Sequence, residues 1–231
     1  MLRVLGLAIL TSALLTLAAV SATPESDPQA PAPSQLKGVG DATQLIEVTA
    51  PGYGTTYATL RAWRRQDGRW QRVFGPWQAR IGNTGFAAPG KKREGDGHTP
   101  SGAFPLTFAF GVAANPGTSL RWRHAGRQDV WDDDPSSPRY NLWTDLRRHS
   151  AGADPEPMHD VPAYLDGVVI GYNRARRPGL GSAIFLHVNI GQATTGCVTV
   201  SRPRVIELLR WLKPGQHPRI VMGPVTAVRK S

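Results

Sequence analysis

Beyond residue 44 the chain is dominated by short alternating or continuous apolar runs, each bounded by Gly, Pro, Asn or Asp. They are Gln44–Thr49, Tyr57–Arg64, Trp70–Ile81, Ala103–Phe110, Gly167–Tyr172, Ser182–Val188, Cys197–Val200 and Arg219–Met222. Runs of this length and punctuation predict β-strands. In Tyr57–Arg64, Ala58, Leu60, Ala62 and Arg64 alternate with Tyr57, Thr59, Arg61 and Trp63, the two-residue period of an extended chain. Asp67-Gly68, between the second and third runs, predicts a tight hairpin turn. A helical period is convincing once: Val205, Ile206, Leu208, Leu209 and Leu212 form an apolar stripe. Ser201 stands at its cap, Pro203 in its first turn, and Pro214-Gly215 at its stop. Many strands and one helix over about 202–212 predict a mainly β fold.

The remaining segments set the domain limits. Met1-Leu2-Arg3, the apolar stretch Val4 to Val20 and the small residues Val20-Ser21-Ala22 read as a signal peptide over residues 1–22. An uncleaved anchor is the other reading, since roughly 17 apolar residues is the short limit for a spanning helix. No cysteine lies near this boundary, which argues against a lipid anchor. Residues 23–43, opening with TPESDPQAPAPS, are Pro/Ala-rich and predict a linker. The folded domain is expected over 44–224 and a tail over 225–231. Within the domain, about 122–162 is rich in Asp, Pro, Ser and Trp with weak periodicity, which predicts an irregular loop or lid.

Charge changes the picture only in part. The chain has 27 Lys and Arg against 17 Asp and Glu, a net charge of +10. Removing residues 1–22 deletes Arg3 alone among ionisable side chains and leaves +9. Such a charge attracts polyanions. For an exported protein this favours anionic wall polymers over nucleic acid, and no stable membrane anchor is expected. Solubility alone is the blander reading of the same charge.

The chain has one cysteine, so no internal disulfide is possible. Cys197 is therefore an inert buried thiol, an intermolecular bridge or a nucleophile. Its surroundings favour the last. Period-2 reading puts Ile184, Leu186, Val188 and Ile190 on one face of a strand, and Ala183, Phe185, His187 and Asn189 on the other. Cys197 and Thr199 share a face against Val198 and Val200. If the two strands pair as a hairpin with core faces aligned, His187 and Cys197 meet, and an imidazole can take the thiol proton. Gly196, lacking Cβ, lets a carbonyl approach the backbone, and the N–H groups of Thr195–Cys197 are candidate oxyanion donors. Asn189, Thr194, Tyr172 and Asn173 are candidate substrate contacts, although a strand-ending turn explains Asn173 equally well. His187 precedes Cys197, the reverse of papain-type order, and lies far closer than the roughly 50 residues of caspases. Asp96-Gly97-His98 and Asp132-Asp133-Asp134 read as turn chemistry rather than metal ligands.

His187-Val188-Asn189, Thr194-Thr195-Gly196-Cys197-Val198 and Thr99-Pro100-Ser101-Gly102-Ala103-Phe104 together resemble the L,D-transpeptidases with a YkuD-type catalytic domain, in a branch with a short loop. The likeness spans about Gln44 to Gly223. It departs from common members at Val188, where many carry Gly or Ser, and at Thr195, where His or Lys is frequent. The resemblance implies a β-sandwich of mixed sheets and a helix following the cysteine. It further implies peptidoglycan stem peptides as substrate and no cofactor. Cys197 would be the nucleophile, His187 the base, and the carbonyl of Val188 the group orienting the imidazole. Transfer to an amine acceptor is the expected outcome. An L,D-carboxypeptidase hydrolysing the same substrate, or a non-catalytic wall-binding protein keeping the fold, are the alternatives.

Overall fold

The structure is a computed structural model describing residues 31–230; the expected signal peptide and the first part of the expected linker lie outside the described residues. Fourteen strands follow in chain order among the described residues. The first seven are β1 (Gln44–Ala50), β2 (Tyr57–Gln66), β3 (Arg69–Arg80), β4 (Phe86–Ala87), β5 (Thr99–Pro100), β6 (Gly102–Gly111) and β7 (Trp122–His124). The rest are β8 (Asp129–Asp132), β9 (Leu142–Asp145), β10 (Glu156–Pro157), β11 (Asp166–Ile170), β12 (Phe185–Val188), β13 (Val198–Val200) and β14 (Arg219–Pro224). All eight expected runs are strands, and the expected helix is α1 (Arg202–Trp211). The fold is mainly β, as expected.

The main sheet runs β11-β12-β13-β3-β2-β1-β14-β6-β7. Strand β6 closes it, pairing with β14 through Gly102–Pro105 and with β11 through Leu106–Gly111. Eight strands thereby form a ring with β7 attached alongside β6. The β2–β3 turn has Asp67 and Gly68 at φ 51° and 76°, the left-handed pair that matches hairpin twist. Pairing is mixed: β12–β13 and β1–β14 are parallel, while β1–β2–β3 is antiparallel.

One face of the sheet carries the larger core. Leu60, Ala62, Ala79, Val168, Leu186, Val188, Val198 and Val200 pack there with Val205, Leu208, Leu209 and Leu212 of α1. Each such Leu or Val contributes roughly 1.5–3 kcal/mol when fully buried. Ser201 is the cap residue by position, but its side chain makes no capping bond. Arg202 instead fixes the helix start through Asp166 at 2.8 Å.

Three segments differ from expectation. Residues 122–162 hold a three-stranded sheet, β10-β8-β9, besides β7. Trp131 and Trp143 are buried in a second cluster with Phe110, Tyr164, Phe185 and Cys197. Their indole N–H groups donate to Asn141 and Asp129, so the aromatic residues of this segment form a core rather than an irregular loop. Within 31–43, Pro33–Gln35 is a 3-10 turn and Leu36 is fully buried against Val221 and Val228. Of the expected tail, Val225–Val228 is a helical turn, and Leu36 pairs with Arg229.

Candidate active site

Strands β12 and β13 bring the chemistry together. They pair in parallel, with His187 level with Thr199 and Leu186 level with Val198. The expected hairpin is not formed. The connecting loop instead detours to the end of β3, where Thr194 donates to Ile81 O at 2.9 Å and accepts from Asn83 N–H at 2.7 Å. Face assignment survives this change because a two-residue period does not depend on strand direction. Leu186, Val188, Val198 and Val200 fall in the larger core, whereas Phe185 and Cys197 fall in the second cluster. The register puts Cys197 level with Phe185, one pleat from His187, about 7 Å along the strand.

Two hydroxyls pin the turn before the cysteine. Thr194 Oγ1 donates to Cys197 O at 2.7 Å and accepts the Gly196 N–H at 3.1 Å. Thr99 Oγ1, from the Thr-Pro element, donates to the same carbonyl at 3.3 Å and accepts from Gly82 N–H. Thr194 is thus a structural residue of the turn as well as a lining residue. Gly196 has φ +149°, and a Cβ there would lie 3.0 Å from the His98 carbonyl. The need for glycine therefore comes from backbone conformation and close packing, and its N–H is already engaged.

The thiol donates to Ala183 O at 3.2 Å and accepts from Phe185 N–H at 3.3 Å. Cys197 is 5 % exposed. Burial pushes its thiol well above the ordinary range, helped by the nearby Glu156 charge and opposed by Phe185 N–H and Lys92. His187 Nδ1 lies 3.0 Å from Val188 O. A carbonyl only accepts, so Nδ1 carries the proton and Nε2 keeps its lone pair. Burial lowers the imidazole to about 4, against the pull of the Val188 and Ala163 carbonyls. In the resting state the thiol and the ring are both neutral, one pleat apart along one cavity.

Cys197 borders two cavities. One, of about 150 Å³, is lined by His187, Thr199, Ala193, Gln192, Thr195 and Tyr164. The other, of about 350 Å³, holds Glu94, Asp133, Asp154 and Glu156 with Lys92, Thr195 and Tyr164. Tyr164 belongs to both. Its ring meets His187 edge-on at 5.1 Å and Phe185 at 5.5 Å, and its hydroxyl donates to Glu156 Oε1. Burial raises Glu156 to about 7, against that hydrogen bond, and raises Asp133 to about 6. Lys92 is committed elsewhere, to Asp96 and to Arg93 O at 2.7 Å. Asp96 also accepts the N–H groups of Arg93 and His98, so it organises its turn.

Sequence reasoning missed Tyr164 and Glu156, which carry no local motif; only Pro162 hints at the 3-10 turn (Pro162–Leu165) that holds Tyr164. Three candidate contacts lie elsewhere. Asn189 Oδ1 caps Gly191 N–H at 2.7 Å in a turn. Tyr172 packs edge-on against Phe104 and donates to Leu180 O. Asn173, at φ 45°, holds the following loop through Arg177 and Gly181. None of the three lines either cavity.

The family described as YkuD: L,D-transpeptidase catalytic domain matches residues 55–225. Among solved structures, the chain is similar to the helical cell shape determining protein Pgp2 from Campylobacter jejuni, with 13% identity and a TM-score of 0.41. That likeness covers 83% of this chain and 51% of the other, so the chain spans about half of the structure it matches. No curated protein matches the chain.

Proposed function

The chain belongs to the YkuD L,D-transpeptidase catalytic-domain family, and on that premise we propose that it is an exported cysteine acyltransferase acting on peptidoglycan stem peptides in the cell envelope. The observation carrying this reading is the shared face of Cys197 and His187, lining one cavity, with Nδ1 tied to Val188 O. Because the resting pair is neutral, proton transfer accompanies attack. The sulfur adds to the amide carbonyl after the third stem residue as His187 Nε2 takes the thiol proton. That proton then passes to the leaving terminal D-Ala amine as its C–N bond breaks, leaving a thioester on Cys197. The N–H groups of Thr195 and Cys197 are the oxyanion donors in this scheme, since Thr194 already uses that of Gly196. An amine acceptor resolves the thioester by transfer, and water resolves it by hydrolysis.

Among the described residues no helix is long and apolar enough to cross a membrane. The basic charge supports contact with anionic wall polymers rather than nucleic acid. Intact-mass analysis after exposure to a stem tetrapeptide or a carbapenem tests the reading. We expect an acyl adduct on the wild-type protein and none on Cys197→Ala. A wild-type protein that never gains mass would overturn it in favour of a wall-binding role.

A further inference from the structure

The cavity opposite His187 is the part of the site that the acylation step leaves unused. Glu156, on β10, lines it together with Cys197, Thr195 and Ala183. One carboxylate oxygen is held by the Tyr164 hydroxyl, which fixes the group against the wall shared by the two cavities. Glu94, Asp133 and Asp154 face the same space, and the one cation among its lining residues, Lys92, is spent on Asp96. A cationic group is therefore drawn to this side of the sulfur, while the imidazole sits on the other.

We propose that Glu156 is a catalytic base for the second half of the reaction, taking a proton from the cationic amine that enters through this cavity. The proposal rests on the acyl-enzyme reading above. A primary ammonium, with an ordinary value near 10, cannot attack until it loses a proton. Glu156 takes that proton and becomes a neutral carboxyl. The freed nitrogen lone pair adds to the thioester carbonyl, forming the C–N bond. A second N–H proton moves to His187 Nε2, the C–S bond breaks, and the imidazolium returns its proton to sulfur. Glu156 then releases its proton to water. Burial, which holds this carboxyl at about 7, matches it to a task near neutral pH. The titratable and charged groups facing it are Glu94, Asp133, Asp154, Lys92, Tyr164 and the thiol itself.

The test measures product partition with the full chain, a stem tetrapeptide and free lysine as the amine. Hydrolysis gives the bare tripeptide and aminolysis gives the tripeptide–lysine adduct, both read by mass. In Glu156→Gln we expect the Cys197 adduct still to form, at a rate altered by loss of the charge that bears on the thiol, so the readout is the ratio of aminolysis to hydrolysis from the formed adduct. Aminolysis should fall at least about tenfold at neutral pH and recover as pH approaches the amine value. An unchanged aminolysis-to-hydrolysis ratio, or a loss that raising the pH does not restore, would overturn the proposal while leaving the acyl-enzyme intact. Should Glu156→Gln fail to fold, Glu156→Asp decides by the same ratio. A displaced carboxylate should lower aminolysis selectively, and an unchanged ratio refutes the role. Absence of any wild-type adduct would instead remove the underlying reading.

Discussion

The two cavities that meet at Cys197 treat protons in opposite ways. On one side His187 is pressed down to about 4; on the other Glu156 is pushed up to about 7. In water the imidazole is the stronger base by about two units. Here the order is reversed, and one cause does both: removal from solvent disfavours whichever form is charged. Dry packing against Tyr164 thus makes the imidazole a weaker base than it is in water. Burial, with Asp133 and Glu94 nearby, makes the carboxylate a stronger base than it is in water. The lesson is that a site can draw two different bases from the same desolvation.

The largest effect comes from removing one side outright. His187→Ala should slow acylation of Cys197 by about 10²–10⁴-fold, measured as adduct formation against time. A variant acylating at the wild-type rate would break the distinction between the two cavities. Next comes the turn that separates them. Gly196→Ala must hold φ near +149° and bring a Cβ to 3.0 Å from His98 O, so a stability loss of about 1–3 kcal/mol is expected in denaturant unfolding. The adduct rate should fall with it.

The smallest effect is in pH dependence. A carboxyl raised on folding contributes stability that is fully present below its unfolded value and lost as pH rises through its folded one, here about 6 for Asp133 and about 7 for Glu156. His187 has the opposite sign: its contribution is present above its unfolded value of 6.5 and lost as pH falls toward 4. Asp133→Asn should therefore flatten the fall in stability between pH 5 and 8, by about 1 kcal/mol or less for a half-buried group. Melting curves at those two pH values decide it, and an unchanged slope would contradict the raised carboxyl.

Much of this arrangement was legible in the residues themselves. Period and punctuation revealed every strand of the ring, because alternation such as Ala58, Leu60 and Ala62 is a local property. Partners were not legible. Whether β12 and β13 run parallel depends on where Thr194 is anchored, and its anchors at Ile81 and Asn83 lie far away in the chain. The small sheet of 122–162 was hidden because strands of two to four residues leave little period, and Trp131 and Trp143 find their polar partners only once folded. Ser201 occupied a capping position without using its hydroxyl. Glu156 and Tyr164 stand in no pattern that sequence alone could flag, since their meaning lies in a hydrogen bond and two shared cavities.

The pairing of Leu36 with Arg229, reinforced by Lys37 N–H to Val228 O and Lys230 N–H to Gln35 O, buckles residues 35–37 to residues 228–230. The hollow beside this buckle, lined by Leu36, Trp70 and Lys230, shares no residue with the two cavities at the sulfur. A pull on either end of this clasp would first strain those backbone hydrogen bonds, which lie apart from the residues lining the two cavities.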